Sequence, residues 1–194
     1  MEFGVRFIFT EPLGKTSRGK VILGSCHFPS RTIQVDPSLL SNGPRFNFTL
    51  AHEIGHLVLH RKLKLDFSEL DTPIGHIQDN RSHIRVSRRP ARTPRDWLEW
   101  QADYFASALL VPRTTVRQAI AEKQAELGVN RRLGVLYLDH QPMNRYTYQA
   151  VLRHLQLVYQ ASRTVLNIRL KHLGLLEDRS TFNVRHITEL LRDE

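Results

Sequence analysis

Residues His52 to His56 read HEIGH, two histidines four positions apart with a glutamate directly after the first. On a helix, positions i and i+4 lie one above the other. Both imidazoles can then aim a ring nitrogen at one ion about 2.0–2.1 Å away, and Glu53 reaches the open side of that ion. Zinc held by three protein ligands keeps a water in its fourth position and lowers the pKa of that water to roughly 7, which makes a nucleophile at neutral pH. Glu53 would take the proton and pass it later to a leaving amine, which is the chemistry of peptide-bond hydrolysis. The bland alternative is a surface helix with two solvated histidines, and a third ligand is what separates the two readings.

His60 is another i+4 step along, but it stands about 6 Å of helix rise beyond His56 and about 12 Å beyond His52, too far for bonds near 2 Å to converge. The extended pattern HExxHxxGxxH needs glycine at 59 and histidine at 62, where this chain has Leu59 and Lys62. His60 is therefore expected near the negative end of the helix dipole rather than on the metal. Glu99 is the better candidate. It lies in WLEWQADYFASALLVP, residues 97 to 112, a run so apolar on all sides that it should form a buried helix. A buried carboxylate is costly unless paired or bound to metal, and within four positions inside that helix only Arg95 offers a partner. Asp103 falls one turn further on the same face, where it could accept the free ring N–H of His52 or His56 and orient it. A structural ion pair is the competing reading of Glu99 and Asp103, and Asp66, Glu69, Asp71 and His76 remain weaker ligand candidates.

The elements that must position these residues follow from periodicity and punctuation. Residues 5 to 10, 20 to 26 and 31 to 36 are short β-branched and aromatic runs separated by Gly14, Gly19 and Pro29, and they suggest a small sheet. From Asn47, a candidate N-cap, Leu50, Ile54, Leu57 and Val58 fall on one helical face. Residues 61 to 95 have no helical period and carry arginines at 81, 85, 88, 89, 92 and 95, so they read as a long basic connection. Thr93, Pro94 and Asp96 should start the next helix and Pro112 should stop it. A helix over 114 to 127 ending at Gly128, a strand within 133 to 138, and helices near 147 to 158 and 162 to 173 complete the pattern.

A chain of 194 residues with 41% hydrophobic content suits one domain, or one with a small appendage. The single cysteine, Cys26, excludes an intrachain disulfide and any multi-cysteine zinc cluster, so histidine and carboxylate must hold a metal. Cys26 and His27 are adjacent in a strand-like run, the wrong geometry for a nucleophile and its base. No stretch of 18 apolar residues occurs and the N-terminus lacks the features of a signal peptide, which points to a soluble, cytoplasmic protein with no membrane partner. The net charge of +9 favours an anionic partner, either nucleic acid or an acidic protein surface. An oxyanion-stabilising side chain stays open among Tyr104, Tyr137, His140, Tyr146, Tyr148, His76 and His83.

Two segments, FTLAHEIGHLVLH (48 to 60) and EWQADYFASALLVP (99 to 112), together resemble the hallmarks of the ImmA/IrrE family of metallopeptidases. The resemblance spans about residues 1 to 112 and continues more weakly to about 176. It implies an α+β fold in which a small N-terminal β-sheet packs on the HExxH helix and a second ligand helix, a gluzincin-like minimal zinc peptidase over residues 1–128. A helical, helix-turn-helix-like part over 129–194 would follow. Carried over by position, it implies Zn2+ ligands His52, His56 and Glu99, catalytic Glu53, and Asp103 behind the ligands where the family often has asparagine. The implied substrate is a regulatory protein, often a helix-turn-helix DNA-binding repressor. The alternative is a regulator or toxin-antitoxin-type partner that binds a repressor or DNA and cleaves nothing. Arg81 to Arg95, and the segment 155–176 with Arg163, Asn167, Arg169 and Lys171, are the candidate nucleic-acid contacts, against a solvated loop and simple helix packing as the plainer readings. The connection from His60 to Glu99 is longer and more basic than the family pattern, and residues 129 to 145 match nothing in it.

Overall fold

The computed structural model describes residues 4–16, 19, 21–62 and 93–180. Three short strands, β1 (Arg6–Ile8), β2 (Gly24–His27) and β3 (Thr32–Val35), form a mixed sheet in the order β1-β3-β2. β1 runs parallel to β3, and β2 runs antiparallel to it, with Gly24 opposite Val35 and Cys26 opposite Ile33. Central β3 alternates as a half-buried strand should: Ile33 and Val35 are fully buried while Thr32 and Gln34 are not. These are the three runs expected from composition. A single 3-10 turn, Pro37–Leu39, leads out of the sheet and is capped by the Asp36 carboxylate, which accepts from the Ser38 N–H at 3.0 Å.

Helix α1 (Gly43–His60) packs across the sheet. It starts earlier than Asn47, because the Asn42 side chain caps it by accepting from the Arg45 N–H and Pro44 stands in its first turn. Asn47 instead donates its side-chain amide to the Gln160 carbonyl. The buried face also differs from the apolar stripe. Val58 is exposed and Leu50 and Ile54 are half-buried, whereas His52, Glu53, His56 and His60 are all buried. The interior side of this helix thus carries the chemical residues beside apolar Phe48, Ala51 and Leu57.

Helix α2 (Pro94–Leu110) starts where expected, with a reciprocal box in which Thr93 Oγ1 accepts from the Asp96 N–H and the Asp96 carboxylate accepts from the Thr93 N–H, both at 3.1 Å. It is not buried all round. Ala102, Ala106 and Ser107 face inward, while Trp97, Trp100, Tyr104 and Leu109 are exposed. Ala102 and the Phe105 ring make close contact with α1: a Cβ added at Gly55 would lie 3.1 Å from Phe105 Cδ1 and 3.3 Å from the Ala102 backbone. Close approach of the two helices is possible because Gly55 has no side chain there, and Trp97, Trp100 and Tyr104 turn outward.

Helix α3 (Arg113–Glu126), strand β4 (Leu136–Leu138), helices α4 (Pro142–Tyr159) and α5 (Arg163–His172), and strand β5 (Leu176–Asp178) complete the described chain, with β4 and β5 paired in parallel. Gly128 and Gly174 take left-handed conformations just past α3 and α5, where helices commonly end on glycine. One hydrophobic cluster takes Phe48, Ala51 and Ala106 from the helices of the HEIGH region, Ile120 from α3, and Leu136, Leu152 and Leu166 from beyond residue 128. The architecture is α+β, a small mixed sheet with five helices among the described residues. No helix among those residues is long and apolar enough to cross a membrane.

α4 and α5 flank a tight turn in which Gln160 holds φ 46°, the left-handed region that favours glycine. Its side chain donates to the Leu157 carbonyl. On α5, Arg169 is 5% exposed and donates to the Val111 carbonyl at 3.1 Å, Lys171 pairs with Asp178, and Asn167 accepts from Tyr148 Oη. Of the connection with six arginines, Arg81, Arg85, Arg88, Arg89 and Arg92 lie outside the described residues, as do Asp66, Glu69, Asp71, His76 and His83.

Candidate metal centre

The crossing of α1 on α2 brings Glu99 onto the two histidines of HEIGH. His52 Nε2 stands 2.9 Å from His56 Nε2, and Glu99 Oε2 stands 3.3 Å from the first and 3.8 Å from the second. Three ligand atoms each about 2.0–2.1 Å from a tetrahedral ion stand about 3.3–3.4 Å apart, so this triangle is the right size for one ion. One ligand atom from each of His52, His56 and Glu99 lies within 4.8 Å of the other two, so the three could hold one ion.

Hydrogen bonding makes the fit more demanding. The Asp103 carboxylate lies 2.9 Å from His52 Nδ1 and can only accept, so that nitrogen carries the proton, and in the neutral ring, the form that binds a metal, the Nε2 lone pair faces the triangle. Of the two rings offered to Asp103 by its place on α2, His52 is the one it takes. A carboxylate oxygen and imidazole lone pairs cannot satisfy one another, and a cation between them resolves the conflict. The electrostatics agree. Burial alone would push His52 down, but the Asp103 and Glu99 carboxylates outweigh it and hold the imidazole up at about 10. Burial would likewise raise Glu99, yet hydrogen bonds from His52 and His56 hold its carboxyl well below the usual carboxylate range. His56 is pushed down to about 4, chiefly by burial. The pocket is thus arranged to hold positive charge, either a proton or a metal ion.

Glu53 is fully buried, and neither of its carboxylate oxygens has a hydrogen-bond partner among the described residues. Burial, partly offset by His52 and reinforced by Glu99, raises its carboxyl to about 8. A carboxyl balanced near neutral pH is suited to taking and returning a proton. Its wall is β2: a Cβ on Gly24 would lie 2.5 Å from Glu53 Oε1 and 2.8 Å from Thr49 Cγ2. Gly24 is a site residue that motif reading misses, although a glycine in a strand-like run does signal close approach of another group. Cys26, on the same strand, has its thiol pushed up to about 12 by burial and then by Glu53, so it is no nucleophile at neutral pH.

His60 is the last residue of α1, as expected, but it does not point into solvent. It is 1% exposed, its Nδ1 lies 2.9 Å from His56 Nδ1, and its Nε2 lies 2.9 Å from Gln101 Oε1. It lies outside the group of His52, His56 and Glu99, and its contact with His56 is not legible in the sequence. Of the tyrosines open for oxyanion stabilisation, Tyr148 donates to Asn167, and Tyr137 bonds Arg132 and Glu177.

The model of the IrrE N-terminal-like domain, a metallopeptidase family, matches residues 1–138 of this sequence. The chain belongs to that family. No curated protein and no solved structure matches the chain. The IrrE-like match covers both HEIGH and the EWQAD helix, so this is a metallopeptidase-type domain with a metal-competent histidine, histidine and glutamate cluster.

Proposed function

We propose that this IrrE-like chain is an intracellular zinc-dependent endopeptidase whose substrate is a regulatory protein, a helix-turn-helix repressor. The convergence of His52 Nε2, His56 Nε2 and a Glu99 oxygen, with Asp103 holding the first ring, supports it most strongly. Two imidazoles and one carboxylate are a donor set that suits zinc and leave a position for the reaction. Zinc there supplies a Lewis acid that polarises the scissile carbonyl and acidifies the attacking water.

The chain's own residues do the rest. Glu53, buried and without a hydrogen-bond partner among the described residues, accepts the proton of the attacking water and returns it to the leaving amine. Gly24 leaves room for that carboxylate between β2 and α1. Asp103 holds the His52 ring in one orientation throughout. The repressor as substrate is supported by the family resemblance, and the net charge of +9 suits an acidic surface on it.

Co-expression with a helix-turn-helix repressor encoded beside it tests this reading. One specific cut is expected with the wild type and none with Glu53→Gln, which should keep its zinc. An uncut repressor in the presence of zinc-loaded wild type would refute the substrate; cleavage by zinc-loaded Glu53→Gln at the wild-type rate would refute the role of Glu53.

A further inference from the structure

The two histidines of the triangle are held from behind by different means. Behind His52 stands the Asp103 carboxylate, 2.9 Å from Nδ1. Behind His56 stands another imidazole, His60, and behind that the side-chain amide of Gln101, each step 2.9 Å. Both arms end on α2, at residues two apart that flank Ala102, whose backbone would lie 3.3 Å from a Cβ on Gly55 of α1.

The second arm has a direction. Two imidazole nitrogens facing each other form a hydrogen bond only if one carries the proton and the other is bare. The Gln101 carbonyl oxygen can only accept, so His60 Nε2 is the donor to it. A neutral His60 with its proton on Nε2 has a bare Nδ1, and that nitrogen accepts from His56 Nδ1–H. His56 Nε2 is then left with its lone pair facing Glu99 and His52. An orphaned polar atom on a buried imidazole would be costly, and along this chain none is left.

We propose that His60 and Gln101 are positioning residues for the metal: a neutral relay that fixes the tautomer and ring orientation of His56 as Asp103 does for His52. This rests on the zinc-peptidase reading of the triangle. The neutrality has a use. Glu99 and Asp103 already bring two negative charges beside a divalent cation, and Glu53 a third when ionised, so a second carboxylate arm would add to an excess in the buried centre. The relay orients His56 without adding charge.

Zinc affinity of the full chain, measured by competition with a chromophoric chelator, tests the relay in wild type, His60→Phe, His60→Asn and Gln101→Leu. His60→Phe keeps a ring in the space and removes the acceptor; it should lose about 10- to 100-fold in affinity, the usual cost of losing a ligand's supporting partner. His60→Asn places an oxygen near the position of Nδ1 and should recover most of that loss. Gln101→Leu, at the exposed end of the relay, should weaken binding by about tenfold or less and decides the matter if His60→Phe does not fold. Ring nitrogen NMR of the zinc-loaded wild type should find the His60 proton on Nε2. Wild-type affinity in both His60→Phe and Gln101→Leu, or a His60 proton on Nδ1, would overturn the relay and leave the zinc site standing. A wild-type chain that binds no zinc would instead overturn the reading of the site itself.

Discussion

Replacing Gly24 by alanine adds one carbon at the tightest place in the site. That carbon would lie 2.5 Å from Glu53 Oε1, 2.8 Å from Thr49 Cγ2 and 3.1 Å from Glu53 Cδ, where ordinary contact begins near 3.4 Å. Neither neighbour can swing aside, because Thr49 and Glu53 are both fully buried on α1. Relief therefore takes a shift of about 0.9 Å, either of β2 away from the helix or of the Glu53 carboxylate out of its place. Overpacking of this kind costs about 1–3 kcal/mol. Misplacing a catalytic group by about 1 Å can cost about 100-fold in rate. Urea unfolding and kcat/KM on a cleaved protein read the two effects, with zinc content as a check that the ligands stay in place. Gly43→Ala serves as the control, since a Cβ there meets nothing within 4 Å. Gly24→Ala with the rate and unfolding midpoint of the wild type would refute the claim that β2 shapes the pocket of Glu53.

Two other perturbations follow from the same packing. In metal-free protein, the Glu53 carboxyl is raised from 4.5 to about 8, so its contribution to stability is fully present below about pH 4.5 and lost as pH rises through about 8. At 1.36 kcal/mol per unit the loss is on the order of a few kcal/mol, and Glu53→Gln should escape it. After chelation the variant's thermal midpoint should exceed that of the wild type by more at pH 8.5 than at pH 5; a difference that does not grow with pH would count against a buried, unpartnered Glu53. Gly55→Leu should push α2 away from α1, since even a Cβ there meets Phe105 and Ala102, and should lower both the unfolding midpoint and zinc affinity. Unchanged zinc affinity in that variant would mean that Glu99 does not depend on the close helix crossing.

Local chemistry made much of this site legible. HEIGH fixes its own i, i+4 geometry, and the Thr93–Asp96 box with Pro94 marks the start of α2, so two ligand helices and the Glu99 candidate can be read without coordinates. Asp103 is legible for the same reason, being one turn from Glu99. What depends on the crossing of two helices is not. His60 and Gln101 meet only because α2 lies close against the slim face at Gly55, and nothing in their spacing announces it. Hydropathy counts Trp97, Trp100 and Tyr104 as core, yet they are exposed, and it is Ala102 and Phe105 that meet α1 at Gly55. Asn47, a polar residue before an apolar run, satisfies the rule for a cap, but Asn42 and Pro44 satisfy it earlier in the chain and start the helix. The basic face expected on α5 has Arg169 and Lys171 bonded within the chain, a distinction that charge counting cannot make.

The central claim, that His52, His56 and Glu99 hold one catalytic zinc, is tested most directly by the metal content of three purified proteins. Elemental analysis should find one zinc per chain in the wild type and in Glu53→Gln, and a large loss in Glu99→Ala, which removes one corner of the triangle. Stoichiometric zinc retained by a folded Glu99→Ala would contradict the account.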